Sequence, residues 1–127
     1  MENRLVLADT SIFIEYFRKS KKSQTQLYRL LEKGFEFCVS SVTYFEYRIG
    51  SKDPLFDKAL FEGVEILPFD KAQAETATRI YKQLKSANRL IEFRDLFIAS
   101  CAITHKTPLA TLNLAHFERI EGLEVLR

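Results

Sequence analysis

The sequence predicts an α/β fold, a mostly parallel sheet with helices packed on both of its faces. Short apolar runs of strand length alternate with segments whose apolar residues recur at helical spacing, from Leu5 to Leu126. The first run, Leu5-Val6-Leu7-Ala8, shows no polar alternation, as expected of a strand covered on both faces.

The elements follow in order. After the first strand, Asp9-Thr10-Ser11 opens a helix in which Ile12, Phe13, Tyr16 and Phe17 share a face. A polar break over residues 19–23 precedes a second helix marked by Leu27, Leu30 and Leu31 and stopped at Gly34. Phe35 to Val39 reads as a second strand. Ser40-Ser41 starts the helix that carries Glu46 and Ile49 and ends at Gly50, and residues 53–62 read as another short helix. The third strand spans Val64 to Leu67 and stops at Pro68.

The helix with the clearest start signal comes next. Asp70 is its expected N-cap, Gln73 stands at the capping-box position, and Phe69 with Ala74 is a candidate hydrophobic staple. Its inward stripe is Ala74, Ala77, Ile80, Tyr81 and Leu84. A polar connection over residues 87–94 leads to Asp95–His105, apolar nearly all round and therefore expected deep in the core, with His105 at its C-terminal end. Pro108 to Leu112 reads as a fourth strand and Glu124 to Leu126 as a short fifth.

With 127 residues, the chain is expected to form one domain over residues 1–127. Hydrophobic residues at 46% and charged residues at 28% exclude a disordered or low-complexity chain. A formal charge of +2 permits a polyanionic ligand without demanding one. No apolar run reaches membrane-spanning length and no secretory leader is legible, so the expected location is the cytoplasm, without membrane contact. Cys38 and Cys101 lie in apolar surroundings without metal-type spacing and read as buried thiols in a reducing compartment.

In parallel sheets ligands bind outside the carboxyl ends of the strands, which makes the positions of the acids informative. Asp9 directly follows the first strand, Glu46 lies on the helix after the second, and Asp95 lies near the start of the buried helix. All three can face one cleft. Carboxylates gathered there repel one another unless a cation is present, and an all-oxygen ligand set suits Mg²⁺ or Mn²⁺. Such an ion activates water and neutralises charge on a phosphodiester. Local readings stand beside this one: Asp9 as an N-cap, Thr43-x-x-Glu46 as a capping box, and Asp95 as a dipole partner at a helix start.

Four blocks in these places resemble a known family. Leu-Ala-Asp9-Thr-Ser-Ile-Phe-Ile resembles the opening strand and first acid of PIN-domain ribonucleases. Ser-Ser-Val-Thr43-Tyr-Phe-Glu46-Tyr-Arg-Ile-Gly50 is similar to their second block, Arg-Asp95-Leu-Phe-Ile-Ala-Ser-Cys-Ala102 to their third, and Leu-Ala-Thr111-Leu-Asn113-Leu-Ala-His116-Phe117 to their closing block. The blocks stand in family order over almost the whole chain, and the size resembles that of VapC-like toxins of toxin–antitoxin pairs.

The resemblance implies a PIN-like three-layer α/β/α sandwich of four to five strands and an Mg²⁺- or Mn²⁺-dependent endoribonuclease. It also implies a homodimer held inactive by a small antitoxin protein. It assigns Asp9, Glu46 and Asp95 as metal ligands and places Asn113 at the fourth catalytic position. Asn113 offers a carbonyl oxygen without charge, and His116 stands where many relatives carry Asp, so a second ion is expected to bind weakly.

Accessory roles follow from the same blocks. Glu92 either restores some of that charge or is a solvated acid. Thr10 or Ser11 orients Asp9 or a water at the metal, or simply caps the first helix. Thr111 is placed to bond an acid or the substrate, and His116 either meets phosphate or stands idle on the surface. Arg18, Lys19, Lys21 and Lys22, and again Lys82, Lys85, Arg89 and Arg94, read either as solvated faces or, for the second set if it lines the mouth near Asp95, as a hold on an RNA backbone. Rings at Tyr16-Phe17 and Tyr44-Phe45-Tyr47 are placed for base stacking or for the core.

Two rivals differ in class. A phosphatase using Asp9 as nucleophile wants a second Asp two places on, where this chain has Ser11. A PIN-like RNA- or protein-binding module with too few acids to cleave is the non-enzymatic alternative.

Overall fold

Alternate residues of the first strand serve two different cores. In the computed structural model, which describes residues 4–126, β1 (Leu5–Ala8) sends Leu5 and Leu7 to one face of the sheet and Val6 and Ala8 to the other. Residues 1–3 and 127 of the predicted domain lie outside the described residues. β2 (Glu36–Ser40), β3 (Glu65–Leu67) and β4 (Leu109–Ala110) complete a four-stranded sheet of order β3-β2-β1-β4, parallel at every pairing.

The helices cover both faces. α1 (Thr10–Arg18) and α2 (Gln26–Glu32) link β1 to β2, and α3 (Ser41–Gly50) and α4 (Pro54–Phe61) link β2 to β3. From α1, α2 and α4, Ile12, Phe13, Leu27, Leu30 and Phe61 pack with Val6, Ala8 and Val39. α5 (Lys71–Ser86) and α6 (Phe93–Thr104) return the chain to β4, and α7 (Leu114–Phe117) follows. On this second face Ala77, Ile80, Leu84, Ile98 and Phe117 pack with Leu7 and Leu109. Burying a side chain such as Ile80 contributes about 1.5–3 kcal/mol relative to leaving it in water. The result is the expected α/β/α sandwich.

Several details differ from the sequence expectation. The fifth strand is reduced to one parallel bridge between Leu109 and Val125. The fourth ends at Ala110 instead of Leu112, because the next backbone N–H donors turn to side chains: Leu112 donates to Ser11 and Asn113 to Thr111. A turn of 3-10 helix at Lys22–Gln24 occupies the polar break, and α7 was not legible. Asp70 caps α5 as expected, yet the Gln73 side chain does not bond back to it. Gln73 is buried and donates to the Phe97 carbonyl, tying α5 to α6. Phe69, the proposed staple, meets Phe97 edge-on at 4.9 Å. Gly34 does end α2, with φ of +86°, a conformation in which glycine pays no steric penalty.

The strand order fixes where a site can form. β1 continues to β2 on one side, while the chain returns to β4 on the other, so the order reverses between β1 and β4. The crevice outside the C-terminal ends of these two strands is the topological switch point. Asp9 and Thr111 are the residues that immediately follow them.

Cys38 and Cys101 are free and fully buried. Burial, helped by Glu65, pushes the Cys38 thiol up to about 11. Burial, with smaller contributions from Cys38 and Asp70, pushes Cys101 up to about 12. Because the folded values lie above the ordinary thiol value of 9.0, the native state holds protons that the unfolded chain releases. The associated stability is intact below that value and is lost as pH climbs toward 11 and 12. Denaturant unfolding across this alkaline window should show falling stability, with a smaller fall in Cys38→Ala. Among the described residues no helix is long and apolar enough to cross a membrane.

Candidate active site

Asp9 ends β1, caps α1 and is 1% exposed. Its Oδ1 accepts the Thr10 N–H at 2.7 Å, and its Oδ2 accepts the hydroxyls of Ser11 at 3.0 Å and Thr111 at 2.7 Å. Each hydroxyl gives its single proton to Asp9 and accepts a backbone N–H from the segment after β4. Ser11 accepts from Leu112 and Thr111 from Asn113, both at 3.0 Å. The carboxylate is thus locked from both strands that flank the switch point. The N-cap reading of Asp9 holds, and the same carboxylate is also the centre of a hydrogen-bond network. The phosphatase rival lacks its second acid, because the residue two places on is Ser11, whose hydroxyl is used to hold Asp9.

Glu46 owes its freedom to a different cap. Ser40, the last residue of β2, accepts the Thr43 N–H at 3.0 Å and caps α3. The Thr43-x-x-Glu46 capping box therefore does not form, and Glu46 sits a turn further along. Its Oε1 accepts the Thr10 hydroxyl at 3.0 Å, and its Oε2 lies 3.2 Å from the Arg94 guanidinium.

Asp95 occupies the first turn of α6, whose N-cap position is Glu92 rather than Asp95. The Glu92 side chain makes no capping bond, leaving the N-terminal dipole to favour Asp95. Asp95 is 2% exposed, with Oδ1 3.4 Å from Arg94 and Oδ2 3.2 Å from Nδ1 of His116 on α7. His116 is thus not idle.

Of the second basic set, Arg94 does lie at Asp95, with its guanidinium between Glu46 and Asp95. Burial works against its charge, and the carboxylates of Glu46, Asp95 and Asp9 more than offset that, holding its pKa above the ordinary arginine value. This cation joins Glu46 to Asp95, and Thr10 joins Glu46 to Asp9. An Arg immediately before an acid at the mouth of a buried helix was the available signal.

The remaining candidates are peripheral. Asn113 joins through its backbone N–H, and its side chain makes no capping bond to α7. Glu92 is exposed and lines a 360 Å³ cavity with Leu90, Asp95, His116 and Arg119. Of the basic set, Lys82 and Arg89 line an adjoining 480 Å³ cavity that also includes Arg119. The aromatic pairs mostly pack on one another: Tyr44 and Tyr47 lie 5.0 and 5.2 Å from Phe61, and Tyr16 lies 5.3 Å from Phe17. Phe45, at 61% exposure, is the exception on α3.

The donor chemistry fits a hard divalent cation, because carboxylates from three elements converge and two of them already hold a cation between them. Among the described residues no three such side chains stand in ion-holding geometry as the chain is arranged. The hydroxyls fix Asp9, and Arg94 lies between Glu46 and Asp95.

A carboxylate cluster at the switch point of an all-parallel sheet, suited to divalent-cation chemistry on phosphate esters, defines the class. A profile of the PIN domain matches residues 6–123, and the chain belongs to the PIN domain family. It is 36% identical over 129 residues to "Ribonuclease VapC1" of Methanocaldococcus jannaschii, covering 98% of this chain and 88% of that one. It is 30% identical to "tRNA(fMet)-specific endonuclease VapC" of Shigella flexneri, covering 92% of each. Among solved structures, VapBC2 of Rickettsia felis bound to a DNA fragment from their promoter superposes with a TM-score of 0.80. That pair is 25% identical, covering 96% of this chain and 97% of the other.

Proposed function

We propose that this chain is a divalent-metal-dependent endoribonuclease and the toxin half of a toxin–antitoxin pair, acting as one nuclease domain. The observation that carries the reading is the cluster at the switch point of a PIN fold, in which Arg94 bridges Glu46 and Asp95 and Thr10 links Glu46 to Asp9. The relatives named as VapC ribonucleases support the substrate class, and Mg²⁺ or Mn²⁺ suits the oxygen donors. The divalent ion, when bound, supplies a nucleophile at neutral pH and positive charge at the scissile phosphate.

The chain's own residues do the positioning. Thr111 and Ser11 aim Asp9, Thr10 aims Glu46, and His116 holds Asp95 through Nδ1 while facing the cavity that RNA enters. Arg119, shared by the two cavities, joins that entrance to Arg89 and Lys82 and offers the RNA backbone a basic path.

The antitoxin partner is supported by the VapBC likeness. Its docking groove is the 480 Å³ channel lined by Ile14, Phe17, Arg18 and Tyr47, which ends at Thr10 and Glu46. The chain works in the cytoplasm, which its buried free thiols suit. A homodimer forms through the exposed rings Phe69 and Phe93 at the α5–α6 face.

Purified free of partner, the protein should cleave a labelled RNA when Mg²⁺ or Mn²⁺ is added, and Asp95→Asn should abolish the cut. RNA bound but left intact under those conditions would favour the binding-module reading.

A further inference from the structure

We propose that Arg94 is a built-in counter-ion that competes with the divalent cation for Glu46 and Asp95, so that metal loading requires its guanidinium to swing out of the cluster. The inference rests on the metal-centre reading above and concerns what sets the metal affinity of that centre.

Position comes first. Nη1 of Arg94 lies 3.2 Å from Glu46 Oε2, and Nη2 lies 3.4 Å from Asp95 Oδ1. These are the oxygens a cation shared by the two acids would use. Charge is the second point. Three carboxylates on neighbouring elements repel one another, and a guanidinium relieves that repulsion without taking the site's ligands out of register. Arginine does not lose its proton in proteins, so the competition cannot be switched off by deprotonation, as it would be for lysine.

The third point is that Arg94 is poorly satisfied where it stands. Its contacts with the two acids are single and longer than the roughly 2.7–2.9 Å usual for charge-assisted pairs. The planar fork is split between two carboxylates instead of meeting one of them side-on. Its Nε is buried without a hydrogen-bond partner. A guanidinium held this way is easier to displace than a bidentate one. An exit exists as well, because the side chain is 40% exposed, whereas that of Asp95 is 3% exposed. The acids stay in place while the arginine moves to the rim.

The expected consequence is a raised threshold for metal. Removing one positive charge from beside a divalent ion, at the effective dielectric of a part-buried site, should tighten binding by about tenfold. Mn²⁺ binding followed through the free-ion EPR signal should therefore be about tenfold tighter in Arg94→Gln than in the wild type, with Arg94→Lys in between. A second measurement uses the wild-type chain alone. Addition of diamagnetic Mg²⁺ should shift the Arg94 Nε–H resonance and speed its exchange with water as the side chain leaves the cluster.

Equal or weaker Mn²⁺ binding in Arg94→Gln would overturn the proposal, as would an Arg94 resonance untouched by Mg²⁺. Failure of both wild type and variant to bind Mn²⁺ at a site abolished by Asp9→Asn would overturn the metal-centre reading itself and this inference with it.

Discussion

Asp9→Asn should eliminate metal-dependent RNA cleavage, by at least about a hundredfold, while leaving the chain folded. The substitution keeps the shape of the side chain and one of its oxygens, so the Thr10 N–H retains an acceptor. The new amide donates where Oδ2 accepted, and the hydroxyls of Ser11 and Thr111 can turn to accept it, since each has a second lone pair. Both hydroxyl protons lose their carboxylate acceptor, so stability should fall by about 1–3 kcal/mol, which a domain of ordinary stability tolerates. What disappears is the negative charge at the point where β1 and β4 part, which the metal-centre account makes indispensable. Single-turnover cleavage and a thermal melt on the same preparation separate the two effects. Wild-type cleavage by a well-folded Asp9→Asn protein would refute the assignment.

Thr111→Val should have the next largest effect, and on two readouts. Valine matches the shape of threonine at the end of β4, so packing is preserved. The short 2.7 Å bond to Asp9 is lost, and the Asn113 N–H loses its acceptor. Losing a partner that orients a metal ligand typically weakens metal affinity by about 10–100-fold. Orphaning a part-buried N–H should lower stability by about 1–3 kcal/mol. Mn²⁺ titration and denaturant unfolding measure the two separately, and Thr111→Ser should restore both. A valine variant that binds Mn²⁺ like the wild type would mean that Asp9 needs no help from β4.

Which of these features could be read from sequence depended on how local their cause was. β1, α5 and the stop at Gly34 have local causes: an unbroken apolar run, an Asp cap and a glycine. Asp9 was legible for the same reason, since a strand end and a cap are both short-range signals. Glu46 was ambiguous because Ser40, Ser41 and Thr43 all offer a capping hydroxyl. Where β2 ends decides among them, and that is set by pairing with β3, Ser40 opposite Leu67. The Arg94 bridge and the His116 contact depend on α3, α6 and α7 meeting across the sheet edge, which no local pattern encodes. Gln73 shows the same limit: the capping-box spacing was present, but a carbonyl on α6 was the better partner for a buried amide. The fifth strand was read from a short apolar run that makes only a single bridge.

The central claim is that one divalent ion, held by Asp9, Glu46 and Asp95, drives RNA cleavage. Its most direct test follows bound Mn²⁺ and the RNA cleavage rate in a single titration of the purified chain. The two should rise together, level off together and both vanish in Asp95→Asn. Cleavage that continues at full rate after a chelator has removed the bound Mn²⁺ would contradict the account.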